Sequence, residues 1–126
     1  MKNWVNKAIT YLDKSLGKVA LELNEIDWKA SLSPKNDKLC QHISSFSNLP
    51  GGGFLVFGVN DKTGELIGID RIKATEIVDK LSSLCRDGVS PLVRIDHSIE
   101  TYKEQSLLFI HIYESAIKLC TWQIKP

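Results

Sequence analysis

The chain has 126 residues, a length that suits one domain, and its apolar fraction of 43% is enough to fill an ordinary core. Charged residues make up 25% and the formal net charge is +1, so the chain lacks the overall basic excess typical of nucleic-acid-binding domains. No apolar run approaches the roughly 18–20 residues that a membrane span requires, and the N-terminus does not resemble a signal peptide. The composition therefore predicts a soluble, cytoplasmic protein without a membrane partner.

The three cysteines indicate the same compartment. Cys40, Cys85 and Cys120 form no CxxC pair and lie among apolar neighbours. This pattern favours buried free thiols over a metal or redox site. Free thiols indicate a reducing interior.

The first half of the chain alternates helical and extended periodicities. Apolar residues recur at helical spacing over 4–16 and predict an amphipathic helix. Residues 26–30 alternate between apolar and charged, which predicts a short strand with one charged face. A second helix is expected from Ser33-Pro34 to about Asn48, before the break at Pro50 and three glycines.

The second half adds several strands and one more helix. The continuous apolar run over 54–59 predicts a central strand covered on both faces. We expect a return strand over 65–69, a helix capped by Asp70, and further strands over 93–99, 107–113 and 119–124. The prediction is an α/β (α+β) fold with a mixed sheet of about five to six strands and about three helices. Residues 1–17 would form an N-terminal helix packed on a domain formed by 18–126.

The glycine run Gly51–Gly53 is the first candidate for a site. Glycines let a ligand approach backbone N–H groups. In a phosphate-binding loop, however, glycines follow a strand and open a helix, whereas here they follow a helix and open a strand. No Walker-type motif is present, so an ATP site is not supported. The structural alternative is a tight helix-to-strand turn.

Charged residues provide two more candidates. Glu22, Glu25 and Asp27 could supply hard oxygen ligands to a divalent cation, with Lys29 near a phosphoryl group. The alternative is a solvated, mutually paired edge. A patch that contacts phosphates is the other candidate, with scattered surface cations as its alternative. That patch would contain Lys35, Lys38, Lys62, Arg71 and Lys73.

Several of these motifs together resemble the Schlafen-type AlbA-like domain family, also filed as a divergent AAA-type family. That family shows a glutamate followed by a Glu-Phe-Lys-like triplet, an Asn-Thr-x-Gly-Gly-like turn, an apolar strand ending Gly-Val-x-Asp, and an Ile-Gly-Ile-Asp segment. The corresponding residues here are Glu22, Asp27–Lys29, Asn48–Gly52, Phe54–Asp61 and Ile67–Asp70, and a later Ile112–Ser115 segment resembles Val-Pro-x-Ser. The resemblance covers about residues 18–120.

The resemblance implies a nucleic-acid-binding module, such as the N-terminal part of a bacterial transcriptional regulator within a longer chain. DNA or RNA would be the partner. The residues expected to bind nucleic acid are Lys29, Asn48, Gly51, Gly52, Gly53, Asn60 and Lys62.

Two alternatives stay open. Animal relatives include metal-dependent endoribonucleases, and that activity would place Mg²⁺ or Mn²⁺ on Glu22, Asp27 and Asp61, with Lys29 as a further catalytic residue. The third acidic position falls on Asn60 or Asp61. The other alternative is a module without a nucleic-acid role, which would form a homodimer or bind a small ligand.

Overall fold

The computed structural model describes residues 2–16, 25–32, 35–87, 89–90, 93–115 and 121–122. Within these ranges three helices and six strands follow one another along the chain. In chain order they are α1 (Val5–Leu16), β1 (Ile26–Lys29), α2 (Asn36–Ser47), β2 (Gly53–Phe57), α3 (Arg71–Asp87), β3 (Val89–Ser90), β4 (Ile95–Tyr102), β5 (Gln105–Ile112) and β6 (Thr121–Trp122).

Four strands form the main sheet in the order β1-β2-β5-β4. β1 runs parallel to β2, while β5 is antiparallel to both β2 and β4. β3 and β6 pair separately as a two-stranded antiparallel sheet. The mixed α+β class is therefore confirmed, although the main sheet has fewer strands than the five to six predicted.

The predicted return strand over 65–69 is reduced to one isolated bridge between Val59 and Leu66. The reason lies in the backbone, because the carbonyl of Gly58 accepts hydrogen bonds from both Ile67 N and Gly68 N. Ile69 N then donates to Ser106 O, at 2.9 Å. The segment thus crosses to β5 instead of continuing a ladder beside β2.

The alternation of side chains along the strands creates two separate cores. On one face, Phe54, Val56 and Phe109 pack against α1. On the other face, Leu55 and Phe57 pack against α2 and α3. The continuous apolar run predicted at 54–59 is thus covered on both sides, and the whole of β2 is buried.

The helix boundaries agree with the sequence where the chain is described. Asp70 Oδ1 accepts a hydrogen bond from Lys73 N at 2.7 Å, so the predicted cap of α3 is confirmed. α2 ends at Ser47 with Asn48 as its C-cap, as predicted. Its predicted start at Ser33-Pro34 lies outside the described residues, as does most of the predicted 119–124 strand.

α1 is attached to the sheet by polar contacts as well as by its apolar face. Val5, Ala8 and Leu12 are fully buried. Trp28 Nε1 donates to Ser15 Oγ at 3.2 Å, and the hydroxyl of Tyr102 donates to Asp13. This helix therefore forms one outer layer of a three-layer arrangement, with the main sheet in the middle.

Among the described residues, no helix is both long and apolar enough to span a bilayer. Cys40 and Cys85 are both buried, as expected. Burial, with a further contribution from Cys40, raises the pKa of Cys85 to about 12. Cys120 lies outside the described residues.

Candidate nucleic-acid interface

Asp27 and Lys29 lie on β1, which is an edge strand of the main sheet. Their side chains share one face, and Lys29 Nζ lies 3.3 Å from Asp27 Oδ2. His42 Nδ1 of α2 lies 3.7 Å from the same oxygen. Burial lowers the pKa of His42, and Lys29 adds to this effect while Asp27 opposes it. The predicted Lys29 cation is therefore partly neutralised by its neighbour on the strand.

A cavity of about 300 Å³ adjoins this cluster, lined by Asp27, His42, Ser45, Phe46 and Leu49. Its walls combine one carboxylate and one imidazole with apolar side chains. Within the described ranges, no three His, Cys, Asp or Glu side chains are grouped so that they could hold a metal ion. Glu22, the first residue of the predicted metal set, lies outside those ranges.

Asn60 organises the loop that follows β2. Its Oδ1 accepts hydrogen bonds from Lys62 N at 2.9 Å and Thr63 N at 3.1 Å. Its backbone N–H donates to Glu65 O at 2.8 Å. The Asn60 side-chain oxygen is thus used to close a turn, while Asp61 and Lys62 are exposed at its tip.

The glycine turn uses its own backbone donors. Gly51 N donates to Glu114 Oε1 at 2.8 Å, and Gly52 N donates to Leu49 O at 2.9 Å. A Cβ on Gly52 would lie 2.0 Å from Ile112 O, and a Cβ on Gly53 would lie 2.0 Å from the ring of Phe46. Gly52 and Gly53 are therefore required by close packing between α2, β2 and the end of β5.

The predicted residues that the structure describes do not converge on one site. The glycine turn precedes β2 and the Asn60–Lys62 turn follows it. Since a strand rises about 3.3 Å per residue, Gly53 and Phe57 alone are separated by about 13 Å. Asp27 and Lys29 lie beside the middle and end of β2, opposite Leu55 and Phe57. The structure therefore distributes the predicted set along the whole length of the strand.

A different cluster, which sequence reasoning missed, lies on the α1 face beside the glycine turn. Phe54, His111 and Asp96 face one another across β2, β5 and β4. Tyr113 and Arg94 each lie two residues further along, on the same face, and Tyr113 N donates to Arg94 O. Five aromatic rings lie in contact where the start of α1 covers these strand residues. We call this set the aromatic patch: Trp4, Tyr11, Phe54, His111 and Tyr113.

The rings of the aromatic patch form a continuous network. His111 and Tyr113 have ring centroids 4.3 Å apart, and Phe54 lies 5.0 Å from His111. Trp4 is stacked on Phe54 at 6.2 Å, and Tyr11 meets Phe54 edge-on at 5.8 Å. Phe54 and His111 are buried, whereas Trp4, Tyr11 and Tyr113 are partly exposed.

Two exposed cations border the aromatic patch. Lys7 Nζ lies 5.7 Å from the ring centroid of Tyr11, and Arg94 Cζ lies 5.1 Å from that of Tyr113. Both distances fall within the range of cation–π attraction. Lys7 Nζ is also 3.5 Å from the position that a Cβ on Gly51 would take, so the predicted glycine turn adjoins this surface.

Asp96 fixes the N-terminal segment to the patch. Its carboxylate accepts hydrogen bonds from Lys2 Nζ at 2.6 Å and from Trp4 Nε1 at 2.9 Å. His97 N donates to the same carboxylate at 2.9 Å. Burial alone would raise the pKa of Asp96, but these hydrogen bonds outweigh it and lower the pKa to about 2. The carboxylate is thus ionised at neutral pH, and Lys2 balances its negative charge.

His111 is 8% exposed and forms the centre of the patch. Its Nε2 lies 3.3 Å from Gly51 O, and its buried Nδ1 has no hydrogen-bond partner in the described part of the chain. Burial lowers its pKa, as does Lys7, whereas Gly51 O and Asp96 act in the opposite direction. We therefore assign a neutral ring whose Nε2–H donates to the Gly51 carbonyl.

A partial signal for the patch was present in the sequence. Trp4, Lys7 and Tyr11 lie at i, i+3 and i+7, which places them on one side of the helix. His111 lies near the end of β5 and Tyr113 two residues later, a spacing that places both on one face of the sheet. What the sequence could not show is that α1 crosses the sheet at the start of β2, which joins the two groups.

Two solved structures resemble this fold. The N-terminal domain of a putative ATP-dependent DNA helicase RecG-related protein from Nitrosomonas europaea matches with a TM-score of 0.67 and 19% identity, over 94% of this chain and 82% of that one. The DIP2311 protein from Corynebacterium diphtheriae matches with a TM-score of 0.55 and 19% identity, over 89% of this chain. The chain spans about a quarter (26%) of that protein. At these identities the likeness shows the fold alone.

No curated protein sequence matches this chain. The family model described as Schlafen, AlbA_2 matches residues 22–123, which is most of the chain and excludes α1. The match covers β1, the glycine turn, β2, Arg94, β5 and Tyr113. The chain therefore belongs to the Schlafen AlbA_2 family.

Proposed function

We propose that this domain is a nucleic-acid-binding module and that Lys7 and Arg94 contact phosphates beside the aromatic patch. The observation that carries the proposal is the pair of exposed cations, each held over an aromatic ring. Neither cation forms an ion pair within the described ranges. Cations that are held in place without a carboxylate partner can bind phosphate at a low cost in side-chain entropy.

Two lines of support come from the comparisons. The Schlafen AlbA_2 family is related to nucleic acids. The similar Nitrosomonas europaea domain is the N-terminal part of a protein described as a putative DNA helicase relative. On this basis we propose that the present domain is part of a longer protein such as a transcriptional regulator. We further propose that it works in the cytoplasm.

The small net charge of the chain determines how strongly we expect it to bind nucleic acid. With a net charge of +1, attraction to the nucleic-acid backbone depends on a few local contacts. Two phosphate contacts would give a slope of log K against log salt of about −1.4 for single strands and about −1.8 for duplex DNA. Binding should therefore be weak and should decline gradually with salt.

The test is a salt titration of fluorescence anisotropy with labelled DNA and RNA oligonucleotides. Replacing both cations, Lys7→Ala with Arg94→Ala, should weaken binding and flatten the salt dependence. Lys103→Asn is the matched control, because Lys103 also lies over a ring, that of Tyr102 at 5.3 Å, at the β4–β5 turn. Its positive φ of 47° suits asparagine. The proposal would be refuted if wild-type affinity did not change with salt concentration, or if Lys103→Asn lost as much affinity as the variant without both cations.

Lys29, Asn60 and Lys62, which the resemblance also implies, remain predictions for a second contact surface, whereas the predicted glycine turn adjoins the aromatic patch. Lys29 is ion-paired on β1 and Lys62 lies at an exposed turn. Substituting them separately in the same titration would show whether they contribute. No loss in Lys29→Ala and Lys62→Ala would restrict binding to the α1 face.

A second candidate function is a metal-dependent endoribonuclease, and the observation that favours it is Asp27 beside His42 and the adjoining cavity. Glu22, Asp27 and Asp61 would hold Mg²⁺ or Mn²⁺, which would activate water for attack on a phosphodiester. Transfer RNA should then be cleaved only with metal, and Asp27→Asn should abolish cleavage. Equal cleavage by wild type and variant would exclude it.

If neither binding nor cleavage is observed, the remaining candidate is a homodimerisation or small-ligand module. Light scattering of the purified protein would then report a dimer, and a monomer would leave only the small-ligand form of that candidate.

A further inference from the structure

The aromatic patch contains partly exposed rings, and contacts between Lys7 or Arg94 and phosphate do not account for this exposed ring surface. Trp4, Tyr11 and Tyr113 are all partly exposed, and each rests on one of the two buried rings, Phe54 or His111. Exposed aromatic groups that are bordered by cations suit a ligand with both flat apolar rings and negative charges.

Resting on the proposed function, we propose that the patch binds single-stranded nucleic acid and that unpaired bases stack on its rings. Trp4 is the main stacking surface, with Tyr11 and Tyr113 at its sides. Lys7 and Arg94 then contact the phosphates that flank the stacked bases. The ligand class is an unpaired segment of DNA or RNA, since every base has a face that can stack.

Trp4 is suited to this role because it is fixed in place. One side of its indole packs on Phe54 and His111, with ring centroids 6.2 and 5.5 Å away. Its Nε1–H donates to Asp96, which prevents rotation of the ring. Among the described residues no cation lies over Trp4, unlike Tyr11 and Tyr113. A base can therefore stack on Trp4 without first displacing a cation–π contact.

A duplex fits this surface less well. In a duplex the bases are stacked on one another, so their faces are not available to protein rings, and affinity must come from phosphate contacts and base edges. In the part of the chain that the structure describes, Lys7 and Arg94 border the patch and could serve that purpose, while Lys2 is already paired with Asp96. The surface thus has few groups for a duplex and three rings for a single strand.

The experiment compares three ligands of equal length and charge per strand. These are labelled oligo-dT, the same backbone with abasic sites, and a duplex, with oligo-U as an additional arm that reports the effect of the sugar. Wild-type protein should bind oligo-dT or oligo-U about tenfold more tightly than the abasic strand, as expected for one or two stacked bases. It should also prefer either single strand to the duplex.

Trp4→Leu should remove this preference, while Trp4→Phe should retain most of it. Both variants lose the hydrogen bond to Asp96, so the difference between them reports the ring alone. Binding of the abasic strand should change little in either. If Trp4→Leu does not fold, Tyr113→Leu and Tyr113→Phe provide the same comparison at the other side of the patch.

The outcomes separate the two proposals. Equal affinity for oligo-dT, abasic strand and duplex, with loss in the Lys7 and Arg94 variants, would overturn base stacking and leave the proposed function intact. No binding to any of the ligands at low salt would overturn both. A tenfold preference that persists in Trp4→Leu and in Tyr113→Leu would also overturn the assignment to this patch.

Discussion

At the scale of single residues, Asp96 connects the sheet to the N-terminal segment. It lies on β4 directly across from His111 and receives hydrogen bonds from Lys2, Trp4 and the backbone of His97. Hydrogen bonds to a charged group are stronger than neutral ones, although partial exposure reduces their contribution. One carboxylate therefore holds the indole of Trp4 against the rest of the aromatic patch.

We expect Asp96→Asn to lower the free energy of unfolding by about 1 kcal/mol at pH 7, because two charge-assisted hydrogen bonds weaken. The pKa of Asp96 is about 2 in the folded protein, below its ordinary value of 3.8. Its contribution is thus present above about pH 4 and is lost as pH falls toward 2. Urea denaturation at pH 7 and pH 3 should show a smaller pH effect in the variant. An identical pH dependence in both proteins would contradict this role.

His111 gives the same sign of coupling to protonation as Asp96, but in a higher pH range. Its folded pKa is lowered from 6.5 mainly by burial, so the unfolded chain binds a proton more readily. The free energy of unfolding should therefore be highest above about pH 6.5 and should fall as the pH decreases below it. We expect His111→Phe, which keeps ring contacts and cannot ionise, to reduce this loss in denaturation series from pH 8 to 5.

The dependence on pH that remains in His111→Phe would come in part from His42, whose pKa is lowered as well. A His42→Gln variant is the matched control. If only this control flattened the curve, the buried position of His111 would be wrong.

At the scale of elements, the glycine turn joins α2 to β2 under close packing. Gly52 has φ of +77°, and Ile112 O occupies the space that a side chain would need. Gly51 has a similar φ of +78°, but among the described residues only the flexible Lys7 Nζ lies near the position of its missing side chain. Two adjacent glycines therefore differ in what they require, one only conformational freedom and the other space as well.

We expect Gly52→Ala to lower the free energy of unfolding by about 3 kcal/mol or more, because a steric clash with backbone adds to the strain of a positive φ. Gly51→Ala should cost about 1 kcal/mol, from the positive φ alone. Thermal and chemical denaturation of the two variants measures the difference. Equal losses would show that Gly52 does not approach β5 as closely as described.

The elements also show how far sequence reasoning extended. The three helices and the strands around Phe54 and Phe109 follow from periodicity and end signals, because each buries an apolar face. The predicted strand over 65–69 does not form, because Gly58 O accepts hydrogen bonds from both Ile67 N and Gly68 N. These are backbone hydrogen bonds, and no side-chain pattern in the sequence indicates them. The side-chain oxygen of Asn60 closes a turn, and the expected contact of Asn60 with nucleic acid stays a prediction.

At the scale of the whole molecule, two chemically different surfaces lie on opposite faces of the main sheet. The α2 face has Asp27, Lys29 and His42 at the edge strand. The α1 face has the aromatic patch with Lys7 and Arg94. α1 and the residue before it precede the residues that match the Schlafen AlbA_2 family, yet they supply Trp4, Lys7 and Tyr11. The patch is thus built jointly by the family domain and by a segment before it, which no local motif could reveal.

The most direct test of nucleic-acid binding by the α1 face is an NMR titration. Amide signals of the ¹⁵N-labelled protein would be followed as oligo-dT is added. The account expects the largest shifts at Lys7, Gly51, Arg94 and Tyr113, and smaller ones at Lys29 and Lys62. Shifts concentrated around Lys29 and Lys62, or no shifts at low salt, would contradict it.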